Sequence, residues 1–317
     1  MIVVVLARRT IHAVGSLLGG AAITFLLLAV TPGDPAERVL LAKGRDSITA
    51  ADIAAQRKVL GLDEPLPVRL WEHLSGMVRG DLGTSWSTGR PVLEELGSRL
   101  PATLRLTAAS LGLAVAASMV LGLTSAWATG RWPDQLARAV SMVFLVVPGF
   151  MLGVITLDLV VVRAGIGSVV ADGGWGTVLL PALTLAVGPA ASWSRILRTT
   201  MLDAKSAPFL LASRARGAGT ARRMFVHELP NSIPSYLTVV GIEIAVLLGG
   251  APIVESIYSW PGVGRLTVRA VEARDTPVIV GFVMLAIAAF VVTGLVVDVI
   301  NAAFDPRRRE TARGRSR

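Results

Sequence analysis

Cysteine is absent from this 317-residue chain. That excludes disulfides, thiol nucleophiles and thiolate metal sites, and says nothing more about compartment. Histidine is scarce: His12, His73 and His227 stand far apart, and no cluster of His and carboxylates has metal-ligand spacing. No G-x-x-x-x-G-K-[ST] run occurs, so the chain lacks the phosphate-cradling loop needed to hydrolyse ATP itself. Charge is low as well, at 17% of residues, against about 25% in a typical soluble domain. No internal repeat of about 20–50 residues and no inverted repeat is visible. There is no catalytic residue or metal ligand to nominate, and the chain reads as non-catalytic with no cofactor of its own.

What is present is apolar and long. Hydrophobic residues make up 53% of the chain. They gather into runs of the length that crosses a hydrocarbon layer roughly 30 Å thick, which takes about 20 residues of helix. Six runs are expected to span, at 11–30, 106–128, 139–162, 177–196, 233–257 and 278–300. The fourth is interrupted by Pro181, Pro189, Trp193 and Arg195, which predicts a kinked helix packed among others. The first follows Arg8 and Arg9 but is longer than a signal-peptide core and lacks a small-x-small cleavage site, so it reads as a retained helix.

The formal charge of +9 suggests nucleic acid in a soluble protein, but here the membrane explains it. With both termini cytoplasmic, 17 Lys and Arg fall on the inner side and four in the two short outer loops. That is the positive-inside asymmetry. The basic tail, 305–317, reads as an orientation signal and lipid contact, with no nucleic-acid partner.

Between the first two runs lies a mixed, charge-balanced segment, 32–100, expected to be a small helical region on the outer face. Thr49 and Asp52 have capping-box spacing and open a helix that Gly61 closes; 68–78 reads as an amphipathic helix, and VLEELGSRLP as a third short one. The basic loop at 198–231 must face water, where a soluble partner can grip it. It should hold a short helix near 209–216, ended by Gly217 in the left-handed conformation that only glycine takes without penalty, with Pro230 marking re-entry into the next span.

Several motifs in order resemble one family: PGDPA at 32–36, LGLDEPLPV at 60–68, GDLGTS at 80–85, LPATLRL at 100–106, LLPALTLA at 179–186, SRILRTTML at 194–202, VESIYSWPGVGRL at 254–266 and ARDTPV at 273–278. The chain resembles the B-type permease subunits of dipeptide, oligopeptide and nickel ABC importers. The resemblance implies an all-α membrane protein with six transmembrane helices in a type I ABC importer permease fold. Residues 1–31 would be the N-terminal helix and 101–304 the permease domain. The implied partners are a sister permease, two ABC ATPase subunits that bind ATP and Mg, an extracytoplasmic solute-binding protein and membrane lipid. Coupling to the ATPase is expected from Phe209, Ala212, Ser213, Arg214, Ala215, Arg216, Gly217, His227, Pro230 and Asn231. The segment departs from the usual family pattern at Phe209 and Leu211, and Pro230 and Pro234 fall where it has other residues.

Pathway and gate candidates are Glu243, near the middle of the fifth run, and Glu255 with Trp260, Pro261 and Gly262 at its outer end. Glu243 meets either a cationic group in the pathway or a hydrogen-bonding neighbour helix. Asp158 and Asp298 read as solvated helix ends, Trp86, Trp175 and Trp260 as interfacial anchors, and Gly122, Gly249 and Gly250 as points of close helix approach. Peptides are the expected substrates and nickel is the alternative. A secondary transporter independent of ATP, or a scaffold without transport activity, remains open at this level.

Overall fold

The computed structural model describes the backbone of residues 2–304 apart from 46 and 169, and within it all side chains except those of 2–10, 209, 211, 212, 245 and 298–304. The basic tail at 305–317 and the Asp298 side chain lie outside the described residues. In chain order the helices are α1 (Ile2–Val30), α2 (Pro35–Ala42), α3 (Ala50–Val59), α4 (Leu66–Val78), α5 (Val92–Trp127), α6 (Trp132–Val146) and α7 (Gly149–Thr156), which runs on into a π-helical stretch at Leu157–Arg163. They continue with α8 (Leu179–Lys205), α9 (Pro208–Ala215), α10 (Thr220–Arg223), a second π-helical stretch at Met224–Glu228, α11 (Leu229–Ile257), α12 (Val263–Ala273) and α13 (Thr276–Phe304). The only β pairing among the described residues is a bridge between Thr84 and Pro91.

By length and apolarity, α1, α5 and α13 qualify to cross a membrane; two bent pairs, Trp132–Val146 with Gly149–Arg163 and Thr220–Ile244 with Val246–Ile257, raise the count to five. Helix α8 is long enough but not apolar enough to be counted.

The chain forms two compact units. The first holds the described residues up to 104 together with 259–291. Its short helices start where local chemistry allows. Asp34 caps α2 by accepting from the Ala36 amide at 2.9 Å, and Pro35 presets the first helical φ. Thr49 and Asp52 form the expected capping box on α3, and Gly61 follows that helix at φ 64°. Val92 and Leu96 of α5 pack with Val263, Leu266 and Ala270 of α12 and Val278 and Ile279 of α13. A second cluster joins Ala21 and Phe25 of α1, Met77 of α4 and Val280 of α13.

Polar contacts, buried and exposed, tie the distant motifs of this unit together. The Asp275 carboxylate, 1% exposed, accepts from the Ser85 hydroxyl at 2.6 Å and from the amides of Trp86 and Ser87 at 3.1 and 3.0 Å. Arg274, itself left-handed at φ 55°, donates to the carbonyls of Thr31, Pro32 and Gly33 that follow α1. The indole of Trp260 is fully buried and donates to the Ala102 carbonyl at 3.0 Å. Trp260 is therefore not an interfacial anchor, whereas Trp175 is 65% exposed.

Helix α5 corrects another expectation. VLEELGSRLP is not a separate helix, because α5 continues through Pro101 for 36 residues. An interior proline costs about 3 kcal/mol, but Leu96 and Leu106 on either side of it are buried and the Trp260 bond holds the turn that follows.

The second unit holds residues 105–258 and the described residues from 292 on. Helix α8 packs on α6, α7 and α11. It runs unbroken through Pro181 and Pro189. The sharp break falls in the third apolar run, where α6 and α7 meet at 95°. Pro148 disfavours helical geometry in the residue before it, and Val147 is extended at φ −76°, ψ 121°. The π-helical stretch beyond α7 brings Asp158 and Arg163 together at 2.8 Å.

Glycines act where neighbours press on them. A Cβ at Gly122 would lie 2.9 Å from Leu197 and 3.0 Å from the Ser194 carbonyl, so α5 and α8 approach closely there. Gly249 has open space and Gly250 only ordinary contact with Leu185. The pair expected to mediate close packing does not, whereas Gly241 is pressed by Val297.

Candidate functional site

The expected short helix is α9, an eight-residue rod. Leu210 and Ser213, three positions apart, are 0% and 2% exposed, while Arg214, Ala215 and Arg216 face out. The side chains of Phe209 and Ala212 lie outside the described residues. Gly217 ends the rod at φ 77°. Its amide donates to the Arg214 carbonyl at 2.9 Å, and the Ala218 amide to Ser213 at 3.2 Å. A Cβ at Gly217 would meet no heavy atom within 4 Å, so glycine is required there by the backbone alone.

His227, Pro230 and Asn231 are not loop residues. Helix resumes at Thr220 and is continuous through the π-helical stretch into α11, with Pro230 in its first turn. Asn231 donates to the His227 carbonyl at 2.7 Å. Met224 and Glu228, one turn apart, are buried.

The rod hangs from α8, and polar contacts that sequence reading missed hold that end of α8. Asp134, 1% exposed, accepts from Arg198 Nε at 2.8 Å and Nη2 at 2.9 Å. The Ser125 hydroxyl donates to it at 2.5 Å and the Gly130 amide at 2.9 Å. This buried carboxylate joins the end of α5, the start of α6 and α8. At the last residue of α8, Lys205 donates to the Ala126 carbonyl and, at 3.2 Å, to Thr129 Oγ1. Burial holds the Lys205 ammonium below the usual lysine range, against the pull of Glu228. Arg198 lies in the SRILRTTML motif, but nothing local in the sequence announces a partner 64 positions away.

Higher along the bundle, the buried indole of Trp193 donates to Glu243. Of the two alternatives for this acid, the bond to a neighbouring helix is thus present. Tyr236 and Ser118 hydroxyls meet at 2.6 Å, Ser141 and Ser194 at 3.0 Å, and Thr184 and Tyr258 at 2.8 Å. Glu255 is fully buried at the end of α11. Trp260 and Gly262 form a tight turn, with the Gly262 amide 2.8 Å from the Trp260 carbonyl, and Gly262 caps α12. The structure brings no three His, Cys, Asp or Glu together in a metal-binding group among the described residues.

Long apolar helices with polar bonds between them and a basic rod outside the apolar runs mark a multi-pass helical membrane protein. The comparisons then supply its kind. The family described as binding-protein-dependent transport system inner membrane component matches residues 118–310, and the N-terminal family of the same components matches 1–107. The chain is 36% identical over 302 residues to the glutathione transport system permease protein GsiC of Salmonella typhimurium, covering 95% of this chain and 97% of the relative. The GsiC protein of Escherichia coli K12 is 35% identical over the same length. Among solved structures, an inward-facing MetNI methionine ABC transporter aligns at TM-score 0.56 and 19% identity, over 67% of this chain and 97% of that one. An amino acid ABC transporter aligns at TM-score 0.51 and 20% identity, over 68% and 94%. These two support the fold. The chain belongs to the binding-protein-dependent transport system inner membrane component family, as a permease subunit of an ABC importer.

Proposed function

We propose that this permease lines, with a sister permease, an import pathway for short peptides, glutathione-like tripeptides included. In this reading α8 also spans, fourth in chain order, and brings the count to six; α9 and both termini are cytoplasmic, and 32–100 faces the solute-binding protein. Two ATPase subunits supply the work. ATP closes their dimer, the dimer displaces α9, and α8 and α11 carry the movement into the bundle, opening it toward the docked binding protein. Hydrolysis then resets it.

The observation that carries this reading is the rod itself. An eight-residue helix with an exposed basic end, stopped by Gly217 and tied through Lys205 to α5, cannot absorb a push by bending locally. The peptide reading rests on relatives named for glutathione transport.

The chain contains no native cysteine, so a single cysteine placed at Arg214 or Arg216 is its only thiol. Cross-linking to an ATPase subunit that changes with nucleotide is the expected result; labelling from the outer face overturns the coupling assignment. Substrate class is tested on the cognate binding protein by thermal shift. Glutathione or di- and tripeptides are expected to raise its Tm, and stabilisation by nickel alone overturns the peptide reading. Uptake in proteoliposomes lacking the ATPase subunits would mark an ATP-independent transporter instead.

A further inference from the structure

Two facing stripes on α6 and α8 enclose a furrow whose chemistry the transport reading does not use. On α6 the stripe is Gln135, Arg138, Ala139, Met142 and Leu145; on α8 it is Ser192, Arg195, Ile196 and Thr199. Both follow helical spacing along one face. Two adjoining cavities of about 470 and 340 Å³ lie along these stripes and share Arg195 and Thr199.

The helices run antiparallel here, since Asp134 pairs with Arg198 and Ser141 with Ser194. The charged positions therefore collect at one end of the furrow and the apolar positions at the other. The charged end holds three guanidinium groups, of Arg138, Arg195 and Arg198, and a single carboxylate, Asp134, which Arg198 and Arg138 approach. Arg198 takes both oxygens of that carboxylate, and Arg138 stands 3.6 Å away. Among the described residues Arg195 has no carboxylate within salt-bridge distance. The excess positive charge calls for an anion. The apolar end, with Met142 61% and Leu145 41% exposed, calls for hydrocarbon.

The level along α6 fits the same occupant. Trp132, at its first position, is 73% exposed, and Leu136, Val143 and Val146 outside the furrow are exposed as well. Tryptophan at the start of a lipid-facing helix marks the headgroup region, and basic pockets between helices at that depth attract anionic headgroups.

We propose that this furrow binds an anionic phospholipid, with its phosphate on Arg138 and Arg195 and the start of an acyl chain over Met142, Leu145 and Ile196. A lipid seated there bridges α6 and α8 beside the Asp134–Arg198 joint, at the end of α8 that leads to α9.

The test uses the importer assembled with its partner subunits, incubated with equal amounts of phosphatidylglycerol and phosphatidylcholine and read by native mass spectrometry. The wild type is expected to retain phosphatidylglycerol preferentially. Arg138→Gln with Arg195→Gln should lower that retention by about fivefold per arginine, with phosphatidylcholine unchanged, and Arg195→Lys should keep most of it. Both arginines are exposed, and an unchanged subunit composition in the same spectra shows that the variant assembles. Equal retention by wild type and the double variant overturns the proposal. So does displacement by millimolar inorganic phosphate or glutathione, which would assign the cationic end to a soluble anion.

Discussion

Helices α8 and α13 are nearly equal in length and opposite in character. Helix α13 is long and apolar enough to cross a membrane, yet only 22% of its most apolar stretch is buried inside the protein. Helix α8 is less apolar, yet 11 of its 27 residues are buried. In water the more buried helix would be the more apolar one. In lipid the relation is inverted, because acyl chains tolerate only apolar side chains, while neighbouring helices can satisfy a hydroxyl, an indole N–H or a guanidinium. Thr184, Trp193, Ser194 and Arg198 each have such a partner. Between these two helices, then, polarity rather than apolarity marks where the bundle is held together.

The most severe test of that contrast is to break the charged joint of α8. Asp134→Ala leaves Arg198, whose side chain is 19% exposed, without its bidentate partner. Losing one member of a buried pair costs about 3–5 kcal/mol. The purified importer is expected to melt far lower and to yield little assembled complex. Replacing both Asp134 and Arg198 by leucine should recover much of the stability, since no unpaired charge remains. Equal damage from the single and double replacements would show that the joint does not act as a pair.

The next test sets one aromatic residue of each helix against the other. Trp193 is fully buried and Phe290 of α13 is 59% exposed. Trp193→Ala opens a cavity and frees the Glu243 carboxylate, at a cost of about 3–5 kcal/mol. Phe290→Ala, a surface change, should stay within about 0.5 kcal/mol. Thermal unfolding in one detergent compares them, and similar losses would mean that α13 carries a protein contact where lipid is expected.

Gly217 carries a smaller and more local effect. A side chain in the left-handed region costs about 1–2 kcal/mol, and a β-branched one fits it worst. Gly217→Val should leave insertion and the melting of the bundle unchanged while uptake falls, with ATP hydrolysis continuing uncoupled. Asparagine tolerates the same conformation, so Gly217→Asn should retain most of the uptake. Full uptake by Gly217→Val would remove the rod from the coupling role.

What could be read from the sequence divides by range. The capping box at Thr49 and Asp52, the closing Gly61 and the stop at Gly217 were legible because each depends on backbone within a few residues. The break at Pro148 was not: Pro148 and Pro189 look alike in sequence, and packing decides that α8 stays continuous while the α6–α7 run turns. Trp260 read as an anchor because residue type alone does not say whether an indole meets headgroups or a carbonyl such as that of Ala102. The Asp134–Arg198 and Ser85–Asp275 pairs span 64 and 190 positions, beyond any periodicity. The basic rod was legible, and the joint that mounts it was not.

The smallest expected effect falls on Glu243, where the two readings of that acid separate. Glu243→Gln removes the charge but keeps a carbonyl oxygen that the Trp193 indole can still reach. A neutral hydrogen bond is worth about 0.5–1.5 kcal/mol, and one to a charged group about 1.5–3, so stability should fall by about 1 kcal/mol or less. Trp193→Phe removes the donor instead and leaves the carboxylate without it. If Glu243 serves only to bind α8 to α11, Glu243→Gln transports normally and Trp193→Phe is the more damaging change. If its charge meets a cationic group of the substrate, the order reverses: Glu243→Gln loses uptake at unchanged melting temperature, and the loss is greatest for substrates with a free ammonium. Measuring both variants against glutathione and an N-acetylated analogue separates a carboxylate that holds the polar helix in place from one that also handles cargo.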